Sequence, residues 1–185
     1  PGVTGFAPGD RVTYTGSPLG AYSTERVVPV ASLIKLPDTI AFEPPAGMTL
    51  RGPSAAYLLR RICPTLKAGD TILVHAAVGG LGLLLMQWAK LLQLTVIGTV
   101  STAAKAALAL RHGCDHIIYY ASESVPEGVR ALTRGAGAAV VYDTVGKDTF
   151  EGSLNSLRRR GMLVCVGTSS GAIPPIDALQ LAIKG

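Results

Sequence analysis

The run Thr71-Ile-Leu-Val-His-Ala76, followed by Ala77-Val78-Gly79-Gly80-Leu81-Gly82, constrains this 185-residue chain more than any other feature. A short apolar strand enters a glycine-rich turn and leaves it as a helical stretch, Leu81–Leu92, before a second apolar strand at Leu94–Val100. The turn reads as G-x-G-x-x-G with Ala77 in place of the first glycine. Such a turn has three tasks: to reverse the chain tightly, to let backbone approach a pyrophosphate, and to let helix pack closely on strand. Gly79 serves the second and Gly82 the third, with Ala77, Val78, Gly80 and Leu81 completing the candidate cradle. Amides at the helix start point at the phosphates, and the helix dipole adds positive partial charge there. A tight turn with no ligand is the bland alternative. The strand–turn–helix–strand setting of residues 71–101 favours a dinucleotide.

The adenosine side narrows the choice of dinucleotide. Sites that prefer NAD place an Asp or Glu at the end of the second strand to bind the ribose 2′-hydroxyl. From Leu83 to Gly113 there is no acidic residue at all. The second strand ends Gly98-Thr99-Val100-Ser101, and Lys105 follows in the first turn of the next helix. Without a carboxylate a 2′-phosphate meets no repulsion, while Ser101 and Lys105 can donate to it. This pattern points to NADPH. Ser101 also reads as a helix cap, and Lys105 as a solvated helix residue.

Around this unit the pattern alternates. Apolar runs at Thr71–Ala77, Leu94–Val100, His116–Tyr119, Ala138–Tyr142 and Met162–Val166 suit strands buried on both faces. Helical stretches fill the gaps at Leu81–Leu92, Thr102–His112, Ser124–Thr133 and Asp148–Leu157. Five strands with four crossovers predict an α/β, doubly wound parallel sheet of Rossmann type. A last helix at Ile176–Lys184 has no sixth strand after it. The first part of the chain differs: β-rich runs at Arg11–Thr15, Ala21–Val28 and Leu33–Leu36 alternate with turns such as Gly16–Gly20 and predict part of a small antiparallel barrel. Residues 53–63, opening on Pro53 and placing Leu58, Leu59 and Ile62 on one face, predict a bridging helix. The expected domains are residues 1–64 and 65–185.

Hydrophobic residues make up 48% and charged residues 16%, so the chain is globular rather than disordered. No apolar stretch is long enough for a membrane span, and the N-terminus shows no secretory signal. Cys63, Cys114 and Cys165 are far apart and fit buried thiols in a reducing, cytoplasmic setting, with no metal-ligand spacing. The net charge of +5 admits an anionic small molecule as well as nucleic acid. Its densest cluster, Arg158–Arg160, reads as a solvated turn before a strand. Aromatics are 5% and do not interleave with basic residues, so no nucleic-acid platform is expected.

Several stretches together resemble the quinone oxidoreductase, zeta-crystallin-like branch of the medium-chain dehydrogenase/reductase superfamily. They are Ala7–Val12, Gly20–Ser23, Tyr57–Arg60, His75–Gly82, Gln87–Lys90, Gly98–Ser101 with Lys105, Val141–Asp143, and Gly161 with Gly167–Gly171. The resemblance covers almost the whole chain. It implies a GroES-like partial barrel with the bridging helix in residues 1–64 and an NADPH-binding Rossmann domain, short of its last strand, in residues 65–185. It implies NADPH-dependent hydride transfer to a quinone or related enone, in a cytoplasmic homodimer when full length.

Roles implied by the resemblance attach only to matching residues. Gly79, Gly80 and Leu81 fall at the pyrophosphate; Ser101, Lys105 and Tyr120 at the 2′-phosphate and adenine ribose. Val166, Gly167, Thr168 and Ser169 fall along the nicotinamide. Ser54 stands where relatives carry a Thr near the nicotinamide, and Arg51 and Tyr22 are candidate substrate contacts. Tyr120 as a packing residue and Gly167 as a simple turn are the plain alternatives. Arg51 occupies the position of a zinc-ligand cysteine in zinc-dependent relatives, and the four-cysteine lobe is missing, so no metal is expected. Relatives begin before Pro1 and continue past Gly185, which implies a fragment that is inactive and prone to associate by itself. A non-catalytic, crystallin-like NADPH-binding protein is the competing reading, and a nucleic-acid binder rests only on the basic charge. No His–carboxylate or Ser–His pair follows from spacing, and His75 reads as a core residue.

Overall fold

The computed structural model describes residues 3–16 and 19–184. The chain divides between Ser54 and Ala55 into two compact units. In the first, strands β1 (Val12–Tyr14) and β2 (Leu33–Lys35) pair antiparallel, with Val12 opposite Lys35. The Arg11 guanidinium donates to the carbonyls of Pro37 and Ile40 and lies 4.3 Å from the Phe42 ring centroid, closing the segment after β2. This antiparallel pair fits the expected piece of barrel.

The expected strand at Ala21–Val28 is not formed. Residues 22–25 are bends, residues 26–28 have no regular structure, and Ser23 turns its hydroxyl back on the carbonyl of Gly20 at 2.9 Å. Local bonds of this kind compete with a ladder. Ser17 and Pro18 of the expected turn lie outside the described residues. A short helix, α1 (Glu43–Met48), follows with Pro44 and Pro45 in its first turn. Proline is favourable in a first helical turn, whose amides have no intrahelical partner. Helix α2 (Arg51–Tyr57) likewise starts two residues before Pro53 and passes into a π-helical turn, Leu58–Ile62.

The second unit holds the parallel sheet. Strands β3 (Thr71–Val74), β4 (Thr95–Val100), β5 (His116–Tyr119), β6 (Ala138–Asp143) and β7 (Leu157–Cys165) lie in the order β5-β4-β3-β6-β7. Alternate residues face opposite sides. Ile72, Val74, Val96 and Val100 pack with Leu85, Met86 and Ala89 of α3 (Gly80–Leu91) and Ala106 and Ala109 of α4 (Ala103–Arg111). Leu73, Ile97, Ile118 and Val141 pack with Val129 of α5 (Val125–Leu132) on the other face. Leu58 and Leu59 are buried in the first of these clusters, and the Tyr142 hydroxyl donates to the Leu58 carbonyl at 3.3 Å. The π-turn therefore packs with the sheet. Helices α6 (Phe150–Asn155) and α7 (Ala178–Lys184) complete the unit.

Two expectations need correction here. Arg158–Arg160 is not a turn ahead of β7 but a bulge inside it: partners on β6 step from Ala138 opposite Leu157 to Val140 opposite Met162. Arg160 sits in the left-handed region at φ 58°. Cys63 and Cys114 are buried, and burial pushes the Cys114 thiol up to about 11, but Cys165 is exposed.

Candidate functional site

Strand order reverses between β3 and β6, since β4 lies on one side of β3 and β6 on the other. A crevice outside the carboxyl ends of the strands is expected at such a point. A cavity of about 760 Å³ opens there, lined by residues of the second unit alone. From the end of β3 come His75, Ala76, Val78 and Gly79; from the end of β4, Thr99, Val100 and Ser101, joined by Lys105 of α4. Tyr120 and Glu123–Pro126 enclose one side, and Val145, Asp148, Thr149, Gly152 and Ser169 the other.

The glycine turn is built from steric exclusion. A Cβ on Gly82 would lie 2.5 Å from the Ala77 carbonyl oxygen and 2.7 Å from that of Ala76, so the helix can approach the turn only without one. At Gly79, the N-cap of α3, a Cβ would meet the Ala76 oxygen at 3.1 Å. Gly79 carries no side-chain cap, and first-turn amides have no intrahelical acceptor. They are the natural donors to an anion. The left-handed residue of the turn is Ala76, at φ 49°. Ala77 is fully buried, and Ala77, Gly80, Leu81 and Gly82 shape the turn without lining the cavity.

On the adenosine side the Lys105 ammonium donates to the Ser101 hydroxyl at 3.2 Å. The cap of α4 is Thr102, whose hydroxyl accepts from the Lys105 amide at 3.3 Å. Ser101 is therefore not consumed as a cap. Tyr120 is 54% exposed and borders the same space, which rules out a packing role. Glu123 was not foreseen: it joins the cavity lining from the loop after β5, where no motif marks it.

His75 is 2% exposed yet is one of the residues that line the cavity. The tautomer follows from its partners. Ser153 donates to Asp143 Oδ2 at 2.6 Å, which leaves the serine oxygen to accept from His75 Nε2–H at 3.0 Å. Nδ1 then accepts from the Thr99 hydroxyl at 3.2 Å. Burial pushes the imidazole pKa down, against the opposing pull of the Asp143 charge. The ring is neutral, with both nitrogens occupied. For Asp143, burial alone would push the carboxyl up. Hydrogen bonds from Ser153, the Gly146 amide, Thr149 and the Val145 amide outweigh burial and hold it below its ordinary value.

The segment after β7 is tied to the loop after β6. Ser170 donates to the Val145 carbonyl at 2.9 Å and Ser169 to that of Thr144 at 3.3 Å. A Cβ on Gly167 would fall 2.7 Å from the Thr144 oxygen, so this glycine is a close-packing residue. Ser169 reaches the cavity, whereas Val166, Gly167 and Thr168 do not line it. Ser54, Arg51 and Tyr22 belong to the first unit. Ser54 donates to the Leu50 carbonyl at 2.7 Å, Arg51 to that of Gly47 at 3.2 Å, and Tyr22 is fully exposed. Among the described residues, no group of three or more His, Cys, Asp or Glu is gathered to hold a metal ion, and no helix is long and apolar enough to cross a membrane.

Residues 80–185 match the family described as zinc-binding dehydrogenase. The chain is 46% identical to a 2-haloacrylate reductase of Burkholderia sp. over its whole length, covering 56% of that relative. It is 48% identical to a quinone oxidoreductase of Pseudomonas aeruginosa, over 99% of this chain and 56% of the relative. The crystal structure of Escherichia coli quinone oxidoreductase complexed with NADPH superposes with a TM-score of 0.94 at 43% identity, over the whole chain and 56% of that protein. The chain thus spans little more than half the length of the relatives it matches. With the strand order, the glycine turn and these similarities in agreement, the chain belongs to the zinc-binding dehydrogenase family, in the quinone oxidoreductase branch of the medium-chain dehydrogenase/reductase superfamily.

Proposed function

We propose that the second unit is the cofactor-binding part of an NADPH-dependent oxidoreductase that reduces quinones or related enones. The observation that carries this reading is the Ser101–Lys105 pair, preassembled 3.2 Å apart at a cavity whose other wall is a sterically closed glycine turn. The turn fits a pyrophosphate: Gly79 lines the cavity with no side chain in the way, Gly82 lets the helix pack against the turn, and the first-turn amides of α3 are left without intrahelical acceptors. Lys105 and Ser101 would hold the 2′-phosphate, Tyr120 the adenosine, and Ser169 the nicotinamide side. Thr99 and Val78 would shape the floor between them.

The bound cofactor supplies the hydride. The chain's own residues bind and orient it, and orientation is where such a site gains most of its rate. His75 cannot act as an acid here, because its one proton is committed to Ser153. Ser54, with Arg51 and Tyr22, is assigned to the substrate and nicotinamide side by family resemblance. The acceptor class follows the names of the relatives, which include quinone oxidoreductases and a 2-haloacrylate reductase, all substrates with an electron-poor conjugated bond. A zinc-free, cytoplasmic homodimer with residues 1–64 as partial catalytic domain and residues 65–185 as NADPH domain completes the proposal.

The test is NADPH oxidation by the full-length protein across a panel of quinones and electron-poor alkenes, beside binding of NADPH and NADH. The expected result is turnover with at least one acceptor and tighter binding of NADPH than of NADH. Tight NADPH binding with no acceptor reduced would instead mark a non-catalytic binding protein. Equal binding of the two dinucleotides would sink the 2′-phosphate assignment.

A further inference from the structure

Asp143 and Ser153 are both no more than 1% exposed, and neither lines the cavity. They are nonetheless bonded to three residues that do, Ser153 to His75 and Asp143 to Val145 and Thr149. The chain of bonds runs from Asp143 at the end of β6, through Ser153 on α6, to His75 after β3, and ends on Thr99 of β4. Asp143 Oδ1 also accepts from the Val145 amide at 2.9 Å, the Gly146 amide at 3.0 Å and the Thr149 hydroxyl at 2.8 Å. These three bonds set the course of the loop that presents Val145, Asp148 and Thr149 to the cavity.

Stability alone does not call for this arrangement, since well-packed apolar residues often replace buried polar networks at little cost. Directional bonds do what apolar packing cannot, which is to specify the relative position of elements that no sheet ladder joins. The ladder between β3 and β6 ends at Val74 opposite Tyr142, and the glycine turn and the Val145–Thr149 loop both lie beyond it. Only side chains and isolated backbone bonds span that region.

We propose that Asp143, Ser153 and His75 are positioning residues that fix the Val145–Thr149 loop against the glycine turn and thereby set dinucleotide affinity. This rests on the reading of the cavity as the NADPH site. The test uses full-length protein. Ser153→Ala and His75→Leu each cut the chain, while His75→Gln keeps an amide donor within reach of Ser153. NADPH dissociation constants are expected to rise about tenfold in the two cut variants, the order of one lost buried hydrogen bond. For Ser153→Ala, whose side chain does not line the cavity, turnover at saturating NADPH should stay within about twofold, and His75→Gln should recover most of the affinity lost in His75→Leu. An unchanged dissociation constant with a lowered thermal midpoint would overturn the proposal and leave ordinary core polar groups. Nitrogen NMR of the wild-type imidazole serves where a variant does not fold: an Nε2–H tautomer is expected, and Nδ1–H would overturn it. Wild-type protein that binds no NADPH would defeat the cofactor reading and the affinity claim together, and is told apart from the other outcomes by the wild type alone.

Discussion

The two ends of the parallel sheet use the same backbone devices for opposite ends. At the carboxyl end, Ala76 takes a left-handed conformation and Gly82 packs with no room for a Cβ. At the amino end, Arg160 is left-handed, and a Cβ on Gly161 would meet the Arg158 and Ala138 oxygens at 2.9 and 3.0 Å. Around the first pair, His75, Thr99, Asp143 and Ser153 are buried and fully bonded. Around the second, three arginines project into water, and Arg158 pairs with Asp70 at 2.8 Å. The difference teaches that positive charge does not mark the site in this molecule. The basic run that dominates the charge pattern lies at the far end of the sheet from the cavity, which Lys105 serves as its lining cation.

Substitutions at the two crowded glycines should separate the ends most strongly. Gly82→Val forces side-chain atoms into two backbone carbonyls, and such overpacking costs about 3 kcal/mol or more. NADPH binding by the full-length protein should be lost. Gly161→Ala should cost about 1–3 kcal/mol in a denaturation experiment while leaving the NADPH dissociation constant intact. Equal loss of binding in both would mean that the ends are coupled.

The charges provide a second contrast. Lys105→Ala should weaken NADPH about tenfold, the worth of one charge-assisted hydrogen bond, and leave NADH unchanged. Arg158→Ala breaks an ion pair whose arginine is 44% exposed, so the stability change should stay below about 1 kcal/mol. Its NADPH affinity should match wild type. A Lys105 variant that weakens both dinucleotides alike would remove the 2′-phosphate role.

The buried network makes the carboxyl end sensitive to acid. His75 has its pKa lowered from 6.5 by folding, so below 6.5 the unfolded chain takes up a proton before the folded one does. Stability therefore falls as pH drops through 6.5. Asp143, lowered from 3.8, adds a further loss below that pH, because the unfolded carboxyl protonates first. Urea midpoints at pH 7 and pH 5 should differ in that direction, and His75→Leu should flatten the slope. The smallest expected effect is at the left-handed residues. Ala76→Gly and Arg160→Gly relieve a strain of about 1 kcal/mol, offset by the entropy glycine loses on folding. Thermal midpoints should move by no more than a few degrees.

Much of the second unit was readable because its signals are local. Continuous apolar runs located all five strands, and a strand followed by Gly79-Gly80-Leu81-Gly82 located the cavity. Where reading failed, the deciding contact was distant. Ala21–Val28 has strand composition but forms no strand ladder among the described residues. Arg158–Arg160 reads as a turn unless the partners on β6 are known. Ser101 and Thr102 are indistinguishable as caps until the helix start is fixed, and Glu123 carries no motif.

The chain's own order of residues determined the layered α/β architecture, the position of the phosphate turn and the freedom of the second strand from carboxylates. Each depends on neighbours within one element, where periodicity and the size of a single side chain decide the outcome. Tertiary structure alone decided that His75 is a neutral, fully bonded member of a network, since its partners lie 24 and 78 residues away. A buried polar group takes its protonation and its role from whatever the fold brings within about 3 Å, and no local pattern records that.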